Sequence, residues 1–331
     1  MKKFQKRYEE LITTENLFYA WKEFLSGKAK KSDVIFFGGK LMDNLFNLHI
    51  SLKIKTYKHS PYEYFKINDP KPRDIHKAIV GDRVAHHLLY TNLYPFFDTV
   101  FIHDSYSCRF GKGTHKGMDR FKNFALKVSK NNTKQCFVLK CDIRKFFASI
   151  DHEILKQILR EKIEDGDILW LLGNIIDSFR ARQDLTQNVG LPLGNLTSQL
   201  LVNIYMNEFD QFIKRELKIK YYIRYADDFV ILSDDRKFLE KLLPKVSVFL
   251  KQKLKLDLHP DKVFIKTISS GVDFLGWVHF PNHRVLRSAT KRRMFRKLKE
   301  NSKKEALASY VGMLSYGNAK MLKDIVLDKY N

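Results

Sequence analysis

The sequence predicts an α+β fold in which an antiparallel sheet is backed by helices. Residues 221–233 carry apolar β-forming side chains on both sides of Asp227 and Asp228, a pattern that indicates a hairpin with the aspartates at its turn. Residues 137–141 are typical of a buried strand, and Asp142 stands at its end. Apolar residues at helical spacing occur before, between and after these strands. Strands and helices are therefore both expected.

The helices are predicted from apolar spacing and from residues that favour helix ends. Glycine commonly ends helices because it adopts left-handed backbone at low cost, so Gly27 is expected to end the first of them. Proline removes a helical hydrogen bond, so Pro244 is expected to kink or divide the last of them. The predicted helices lie at residues 14–26, 41–52, 154–159, 197–217 and 237–253.

The paired aspartates indicate a metal site. Two adjacent carboxylates repel each other and a strand-rich surround desolvates them, so the pair is costly unless a cation is shared. Mg²⁺ prefers such hard oxygen ligands and usually also binds substrate phosphates. Asp142 would supply a third carboxylate, as in two-metal sites for phosphoryl transfer. Taken singly, an ordinary turn aspartate or a helix N-cap would explain each of these residues as well.

Composition indicates a basic globular protein that binds nucleic acid. The chain has 60 Lys and Arg against 37 Asp and Glu, a net charge of +23, with 44% hydrophobic residues. It can bury a core and still present the electropositive surface that phosphate backbones require. It has no apolar run of 18 residues, so no membrane partner is expected. Three cysteines without metal-type spacing, and no signal peptide, lead us to expect a cytoplasmic location.

Several ordered motifs resemble those of the reverse transcriptases, and most closely the short bacterial and phage enzymes of diversity-generating retroelements. The likeness covers residues 60 to 300. Its blocks are Lys71-Pro-Arg73 with Asp82-Arg83-Val84, residues 104–115, Asp142, Tyr225-Ala-Asp-Asp228, Leu256-Asp-Leu-His-Pro-Asp-Lys262 and Phe274-Leu-Gly-Trp277. The resemblance implies a right-hand polymerase fold with fingers, an antiparallel-sheet palm and a helical thumb. The expected divisions are 1–135 for N-terminal helices and fingers, 136–283 for the palm with a fingers-edge block near 182–200, and 284–331 for the thumb.

The resemblance also implies the active-site roles. Asp142, Asp227 and Asp228, with the backbone carbonyl of Ile143, would hold two Mg²⁺ ions, for which Mn²⁺ can substitute. Asp227 is expected to bridge both ions. The residues expected to bind the incoming nucleotide are Lys66, Lys71, Arg73, Phe147, Leu193, Gly194, Gln199 and Lys262. Phe147 would exclude a ribose 2′-hydroxyl unless it is a core residue, and Lys262 would donate a proton to pyrophosphate unless it is a turn residue.

Template and primer contacts are expected from the second fingers block, the primer grip and the thumb. Residues 284–304 carry ten Lys or Arg against one Glu, which suits a helix that holds a duplex by its backbone. A solvated basic helix is the alternative. Gly276 would permit a close approach of the backbone to the primer. The expected residues are Arg109, Lys112, Phe274, Leu275, Gly276, Trp277, Lys291, Arg292, Arg293 and Arg296.

One departure from intron-type enzymes favours the diversity-generating group. The block before the paired aspartates has Leu193 where those enzymes usually carry glutamine, and Gln199 where they carry proline. By the resemblance, the missing glutamine lies near the incoming nucleotide, so Leu193 would loosen base discrimination and suit error-prone copying of template adenines.

The expected partners are an RNA template, a DNA or RNA primer, deoxynucleoside triphosphates, a cognate structured noncoding RNA and a small helical accessory protein. The alternatives are an antiviral defence-associated or intron-type reverse transcriptase that uses its own noncoding RNA. A non-catalytic RNA-binding scaffold is a more distant alternative, because all three aspartates and Phe147 are present.

Overall fold

The computed structural model describes residues 2–68, 72–181, 188–300 and 304–330. The helices are α1 (Tyr8–Leu11), α2 (Thr14–Leu25), α3 (Ser32–Gly38), α4 (Leu41–Lys53), α5 (Val80–Val100), α6 (Thr114–Val128), α7 (His152–Lys162), α8 (Gly166–Asp177), α9 (Leu196–Gln211), α10 (Arg236–Leu254), α11 (Ser288–Glu300), α12 (Lys304–Leu314) and α13 (Lys320–Tyr330). The strands are β1 (Glu63–Ile67), β2 (Arg73–Lys77), β3 (Phe137–Asp142), β4 (Tyr222–Tyr225), β5 (Asp228–Ser233), β6 (Phe264–Thr267), β7 (Val272–Phe274), β8 (Trp277–His279) and β9 (Arg284–Leu286).

The predicted helices are present, with two differences in their course. α10 continues through Pro244, so of the two expected effects of this proline, a kink or a division of the helix, division is wrong. The helix predicted at 197–217 is α-helical only as far as Gln211 and then continues as a π-helical turn, Phe212–Glu216. α2 begins as its sequence suggests, because the side chain of Thr13 accepts a hydrogen bond from the Asn16 backbone N–H.

The chain forms two compact units that interleave along the sequence. The first comprises Met1–Ile102, Arg144–Phe212 and Phe249–Asp257. Within it α5 contacts α2 on one side and α9 on another, and β1 pairs with β2 in a separate antiparallel hairpin. Fully buried apolar side chains such as Leu17, Phe24, Leu88 and Leu89 form its core. Burial of this apolar surface is what holds the helices together.

The second unit comprises His103–Ile143, Ile213–Val248 and Leu258–Asn331 and contains the central sheet. Four strands pair in the order β4-β5-β3-β6, and every neighbouring pair is antiparallel. α6 packs on one face through Phe121 and Phe124, which join Val138, Ile223 and Val230 in one buried cluster. The alternation of side chains along each strand therefore places one apolar set against α6.

A smaller sheet and the last three helices complete the second unit. β7, β8 and β9 pair in sequence order, and α11 to α13 pack with them around Trp277, Met294 and Leu298. The basic segment predicted as helical from Arg284 begins instead with strand β9, because residues 284–286 pair with β8. The helix starts at Ser288.

The three-part division into fingers, palm and thumb stays a prediction. Along the described ranges, none of the helices has the length and apolar character needed to cross a membrane.

Candidate active site

Strand pairing brings the three aspartates of the second unit together. β3 and β5 align Asp142 with Asp228 as direct cross-strand partners. β4 and β5 are joined by a two-residue turn, Ala226-Asp227, since Tyr225 pairs with Asp228. Ala226 has φ +56°, a backbone region that non-glycine residues rarely adopt. Such strained residues persist where the surrounding structure enforces them, often at functional sites.

Backbone hydrogen bonds fix the chain next to this turn. The Ile143 N–H donates to the carbonyl oxygen of Asp227 at 3.2 Å, and the His259 N–H donates to that of Asp142 at 2.7 Å. These bonds place the residue after β3 directly against the turn. The predicted order of strand, aspartate and hairpin is therefore realised in one local arrangement.

Two lysines lie against the carboxylates. Lys262 Nζ lies 2.8 Å from Asp142 Oδ1, and Lys140 Nζ lies 3.4 Å from Asp228 Oδ1. Burial raises the pKa of Asp228 to about 6; Lys140 opposes this rise, whereas the charges of Asp142 and Asp227 add to it. Lys140 thus offsets the effect of burial on Asp228 only in part.

The residues fit a cation site, although their side chains are not arranged around one. Among the residues the structure describes, no group of three His, Cys, Asp or Glu side chains is placed to hold a metal ion. Asp142 instead pairs with Lys262. Asp228 Oδ1, however, is buried and accepts no hydrogen bond of good geometry in the described part of the chain, where Lys140 Nζ lies 3.4 Å from it. A buried carboxylate oxygen held only by this long ion pair, beside two further carboxylates, is a site that a hard cation would satisfy.

Arg224, one residue before the Tyr225-Ala226-Asp227-Asp228 block, was not predicted to take part. Its side chain is 1% exposed. Nη1 donates to the Ala226 carbonyl at 3.1 Å and Nη2 to Ser105 Oγ at 3.5 Å. Its backbone also bonds to Asp104 and Tyr106, which cover the outer edge of β4. A charged residue inside an apolar strand, as in Tyr222-Ile223-Arg224, is the sequence signal that could have revealed it.

The first unit brings together several residues predicted to bind the nucleotide. Lys66 and Arg73 lie on the β1–β2 hairpin. The His76 N–H of that hairpin donates to the Leu193 carbonyl at 3.2 Å, which docks the segment before α9 onto β2. Gly194 has φ +108°, and a Cβ there would meet the Ile75 side chain at 3.1 Å, so this tight contact favours glycine.

The remaining predicted nucleotide residues take distinct positions. Phe146 is buried and Phe147 is half-exposed, with ring centroids 5.5 Å apart, so Phe146 is the core residue of the pair. Gln199 is half-buried in the first turn of α9. Lys71 lies outside the described residues.

Residues predicted to contact template or primer differ in accessibility. Phe274 and Trp277 are core residues, 0% and 2% exposed, so their side chains are closed to a ligand. The turn between them, Leu275-Gly276, has positive φ at both positions, +52° and +84°. This geometry is that of a type I′ hairpin turn, in which positive φ favours glycine. Space is not the limit at Gly276, because a Cβ there would approach only Thr290 Oγ1, at 4.0 Å.

The basic side chains of this group lie at the surface of the second unit. Arg109 Nη1 donates to the Ser105 carbonyl at 3.1 Å, and Lys112 Nζ donates to the His103 carbonyl at 2.9 Å. On α11, Lys291, Arg292 and Arg296 are exposed and Arg293 is half-exposed. Met294 and Leu298 turn inward, so α11 presents a cationic outer face.

Comparisons with known proteins agree with this arrangement. The family model described as reverse transcriptase (RNA-dependent DNA polymerase) matches residues 67–279, more than half of the chain. Protein YkfC of Escherichia coli (strain K12) is 26% identical over 268 residues, covering 69% of this chain and 67% of YkfC. The group II intron-encoded protein LtrA of Lactococcus lactis subsp. cremoris is 22% identical over 364 residues, covering 88% of this chain and 58% of LtrA.

More distant matches point the same way. The putative COX1/OXI3 intron 2 protein of Saccharomyces cerevisiae is 22% identical over 207 residues, covering 45% of this chain and 24% of that protein. The chain therefore spans between 24% and 67% of the length of these relatives. A solved structure of Candida albicans telomerase, in complex with a TWJ fragment of telomeric RNA, superposes with a TM-score of 0.54. It is 12% identical and covers 79% of this chain and 51% of the telomerase chain, a likeness of fold alone.

The fold expectation is confirmed by these matches: a mixed structure of helices and antiparallel sheets fits the right-hand polymerase fold. The enzyme class predicted from the ordered motifs is confirmed as well. The chain belongs to the reverse transcriptase family, the RNA-dependent DNA polymerases.

Proposed function

We propose that the protein transfers deoxynucleotidyl groups to a primer 3′ end under the direction of an RNA template. The observation that carries this proposal is the register of β3 against β5, which sets Asp142 opposite Asp228 and leaves Asp227 in the adjoining turn. The buried Oδ1 of Asp228, which accepts no hydrogen bond of good geometry in the described part of the chain, supports a cation at this point. The chemistry that two bound Mg²⁺ ions supply at such a site is activation of the primer hydroxyl and neutralisation of the leaving pyrophosphate.

The chain's own residues would divide the remaining tasks. Asp142, Asp227 and Asp228 hold the cations, and the Ile143 carbonyl is a further candidate ligand. Lys66 and Arg73 on the β1–β2 hairpin hold the triphosphate, because ammonium and guanidinium groups suit phosphate oxygens.

Two further residues would act on the sugar and on the departing phosphates. The half-exposed ring of Phe147 blocks a ribose 2′-hydroxyl. Lys262, with Nζ 2.8 Å from Asp142 Oδ1, holds a proton beside the reacting phosphates. The basic face of α11 and the Leu275-Gly276 turn would hold the template–primer duplex.

Two biological settings remain candidates for this activity. Leu193 and Gln199 support error-prone synthesis in a diversity-generating retroelement, since both depart from the intron-type pattern. Intron-encoded relatives, LtrA among them, support instead an intron-type role with a cognate noncoding RNA. The Leu193 carbonyl accepts a hydrogen bond from His76 of the β1–β2 hairpin that also carries Lys66 and Arg73, which supports an effect of Leu193 on nucleotide selection.

Primer extension with product sequencing tests both the polymerase activity and its biological setting. The assay uses a primed RNA template, deoxynucleotides and Mg²⁺, and compares wild type with Asp227→Ala/Asp228→Ala. A matched control, Asp324→Ala/Asp328→Ala, removes two exposed aspartates of the same unit. We expect synthesis by wild type and the control, and none by the active-site variant.

The sequence of the products separates the two settings. Misincorporation concentrated opposite template adenines supports the diversity-generating role, whereas accurate copying supports the intron-type role. Wild type that stays silent with its own RNA and neighbouring proteins supplied would overturn the polymerase proposal.

A further inference from the structure

A cluster of lysines surrounds a cavity at the far end of the central sheet. The cavity has a volume of about 440 Å³ and is lined by Lys127, Lys130, Lys218 and Lys220, with Asp234 as the acidic residue of its lining. All four lysines are exposed. We call this feature the lysine cavity. It lies wholly within the second unit.

The lysines of this cavity lack compensation from acidic side chains. Within the described part of the chain, none of the four lysines forms an ion pair. Other lysines of the protein do: Lys255 Nζ lies 2.6 Å from Asp151, and Lys262 Nζ lies 2.8 Å from Asp142. Four cations around a concave surface with one carboxylate focus positive potential into it. Their mutual repulsion is relieved when an anion enters.

The lysine cavity is separate from the aspartate site. β3 and β4 are both antiparallel to β5 and therefore run in the same direction. Lys127, in the last turn of α6, and the loops that carry the other three lysines precede these two strands, whereas Asp142 and Asp227 lie at the opposite ends of the strands. β3 has 6 residues, and at about 3.3 Å per residue this separates the two ends of the sheet by roughly 17 Å. A nucleotide at the aspartates would therefore leave the lysine cavity open.

Both loops of the cavity are held in place before any ligand binds. In the first, the Ser129 hydroxyl accepts the Asn132 N–H at 2.9 Å, and the Ser129 carbonyl accepts the Lys134 N–H at 2.9 Å. In the second, Lys214 Nζ donates to the Lys220 carbonyl at 2.8 Å. A preformed cationic surface loses little loop entropy on binding.

Aromatic side chains stand among the lysines. Phe238, at the start of α10, is 42% exposed and lines the cavity. Tyr221 also lines it, half-buried, with Lys220 Nζ 5.6 Å from the centre of its ring. Exposed aromatic rings beside basic side chains are the features by which proteins stack unpaired bases while holding the phosphate backbone. The volume is within the range of about 300–1,000 Å³ typical of small-ligand pockets, enough for one nucleotide.

We propose that the lysine cavity binds an unpaired nucleotide in a loop of a structured RNA. The lysines contact successive phosphates, and Phe238 stacks on the base. This function goes beyond polymerisation, since it anchors an RNA at a site remote from the aspartates and does not require catalysis. It gives the expected noncoding RNA partner a location on the protein.

Salt-dependent binding of an RNA hairpin with an unpaired loop tests the proposal. An unlabelled primer–template duplex is kept at saturation so that duplex-binding surfaces are occupied. The cavity variant is Lys130→Gln/Lys218→Gln/Lys220→Gln, and the control Lys30→Gln/Lys31→Gln/Lys53→Gln removes the same charge from exposed positions of the first unit. Each phosphate contact contributes about 0.7 to the slope of log K against log salt, so the cavity variant should lose about two units. The control should keep the wild-type slope.

A second variant separates stacking from charge. Phe238→Ala should weaken hairpin binding roughly ten-fold and leave the salt slope unchanged, because a base–aromatic contact is lost without a phosphate contact. Melting temperatures of all variants verify folding.

Three outcomes would overturn the proposal. One is a cavity variant with the same slope as the control. Another is an equal loss of binding to polyglutamate, which would show unspecific attraction of an acidic chain. The last is a fall in single-nucleotide incorporation on a short primer–template, which would place the lysines in the catalytic cleft. Binding is read directly, so a failure of the polymerase proposal leaves this test intact.

Discussion

The side chain of Arg224 should control the rate of nucleotide incorporation through the turn that carries Asp227. Arg224→Met keeps most of the buried volume and removes the guanidinium, whose Nη1 donates to the Ala226 carbonyl at 3.1 Å. A hydrogen bond from a charged donor contributes about 1.5–3 kcal/mol. If the strained turn needs this bond to keep Asp227 in its reactive position, the rate falls roughly 10- to 160-fold, at about 1.36 kcal/mol per factor of ten.

Single-nucleotide incorporation on a primed RNA template measures this effect. We expect kcat to fall in Arg224→Met while the KM for the deoxynucleotide changes little, because Arg224 supports the aspartate turn in the second unit. Arg224→Lys should restore part of the rate by returning a cation. Arg236→Met, which removes an exposed arginine of the same unit, serves as the control. A lower melting temperature with unchanged kcat would show that Arg224 stabilises the fold only, and the reasoning would be refuted.

Three further predictions concern acid stability, packing and sugar selection. Burial alone would raise the pKa of Asp104, but hydrogen bonds from Arg120 and His103 and the charges of Arg120 and Lys214 outweigh it and lower that pKa. Stability from these contacts is therefore present above the unfolded pKa of about 4 and is lost as pH falls through the lower folded value. Asp104→Asn should therefore flatten the fall of the melting temperature in acid. Gly317→Ala should lower the melting temperature, since its Cβ would overlap the buried Trp277 ring. Phe147→Val should raise ribonucleotide incorporation at least roughly ten-fold relative to deoxynucleotide, measured as a ratio of kcat/KM.

Each of these predictions has an internal check. Gly312→Ala, in helix α12, meets no atom within 4 Å, so it should keep or raise the melting temperature by the better helix propensity of alanine. An acid decline that stays the same in Asp104→Asn would show that other carboxylates dominate it. Unchanged sugar selection in Phe147→Val would leave Phe147 as a packing residue beside Phe146.

Much of the candidate site could be predicted from sequence because its signals are local. The strand before Asp142 is predicted by its apolar, β-forming residues, and the turn at Asp227 by the one interruption in such a run of residues. The pairing that joins them is not local, although a slip by one residue would turn the apolar residues of one strand to the wrong face. Because β3 ends at Asp142 and β5 begins at Asp228, antiparallel pairing brings these two aspartates to the same end of the sheet.

The rest depends on contacts that a single sequence does not encode in its spacing. Arg224 is buried because its backbone and side chain meet residues near position 105, more than a hundred positions away. The lysine cavity combines the end of α6 and the loop after it with the loop before β4, and Lys130 and Lys218 in these loops are 88 positions apart along the chain. Pro244 lies in an unbroken helix since tertiary packing outweighs the local cost of a missing hydrogen bond.

The central sheet has to stabilise three carboxylates in one small region before it can use them. Lys140 and Lys262 provide two positive charges there, but burial still raises the pKa of Asp228 to about 6, so its charged form is disfavoured. Its buried Oδ1 lies 3.4 Å from Lys140 Nζ and accepts no hydrogen bond of good geometry within the described residues. A divalent cation would stabilise the charged carboxylate that Lys140 stabilises only in part. The partial compensation therefore lets the sheet fold and still leaves the aspartates able to bind a metal.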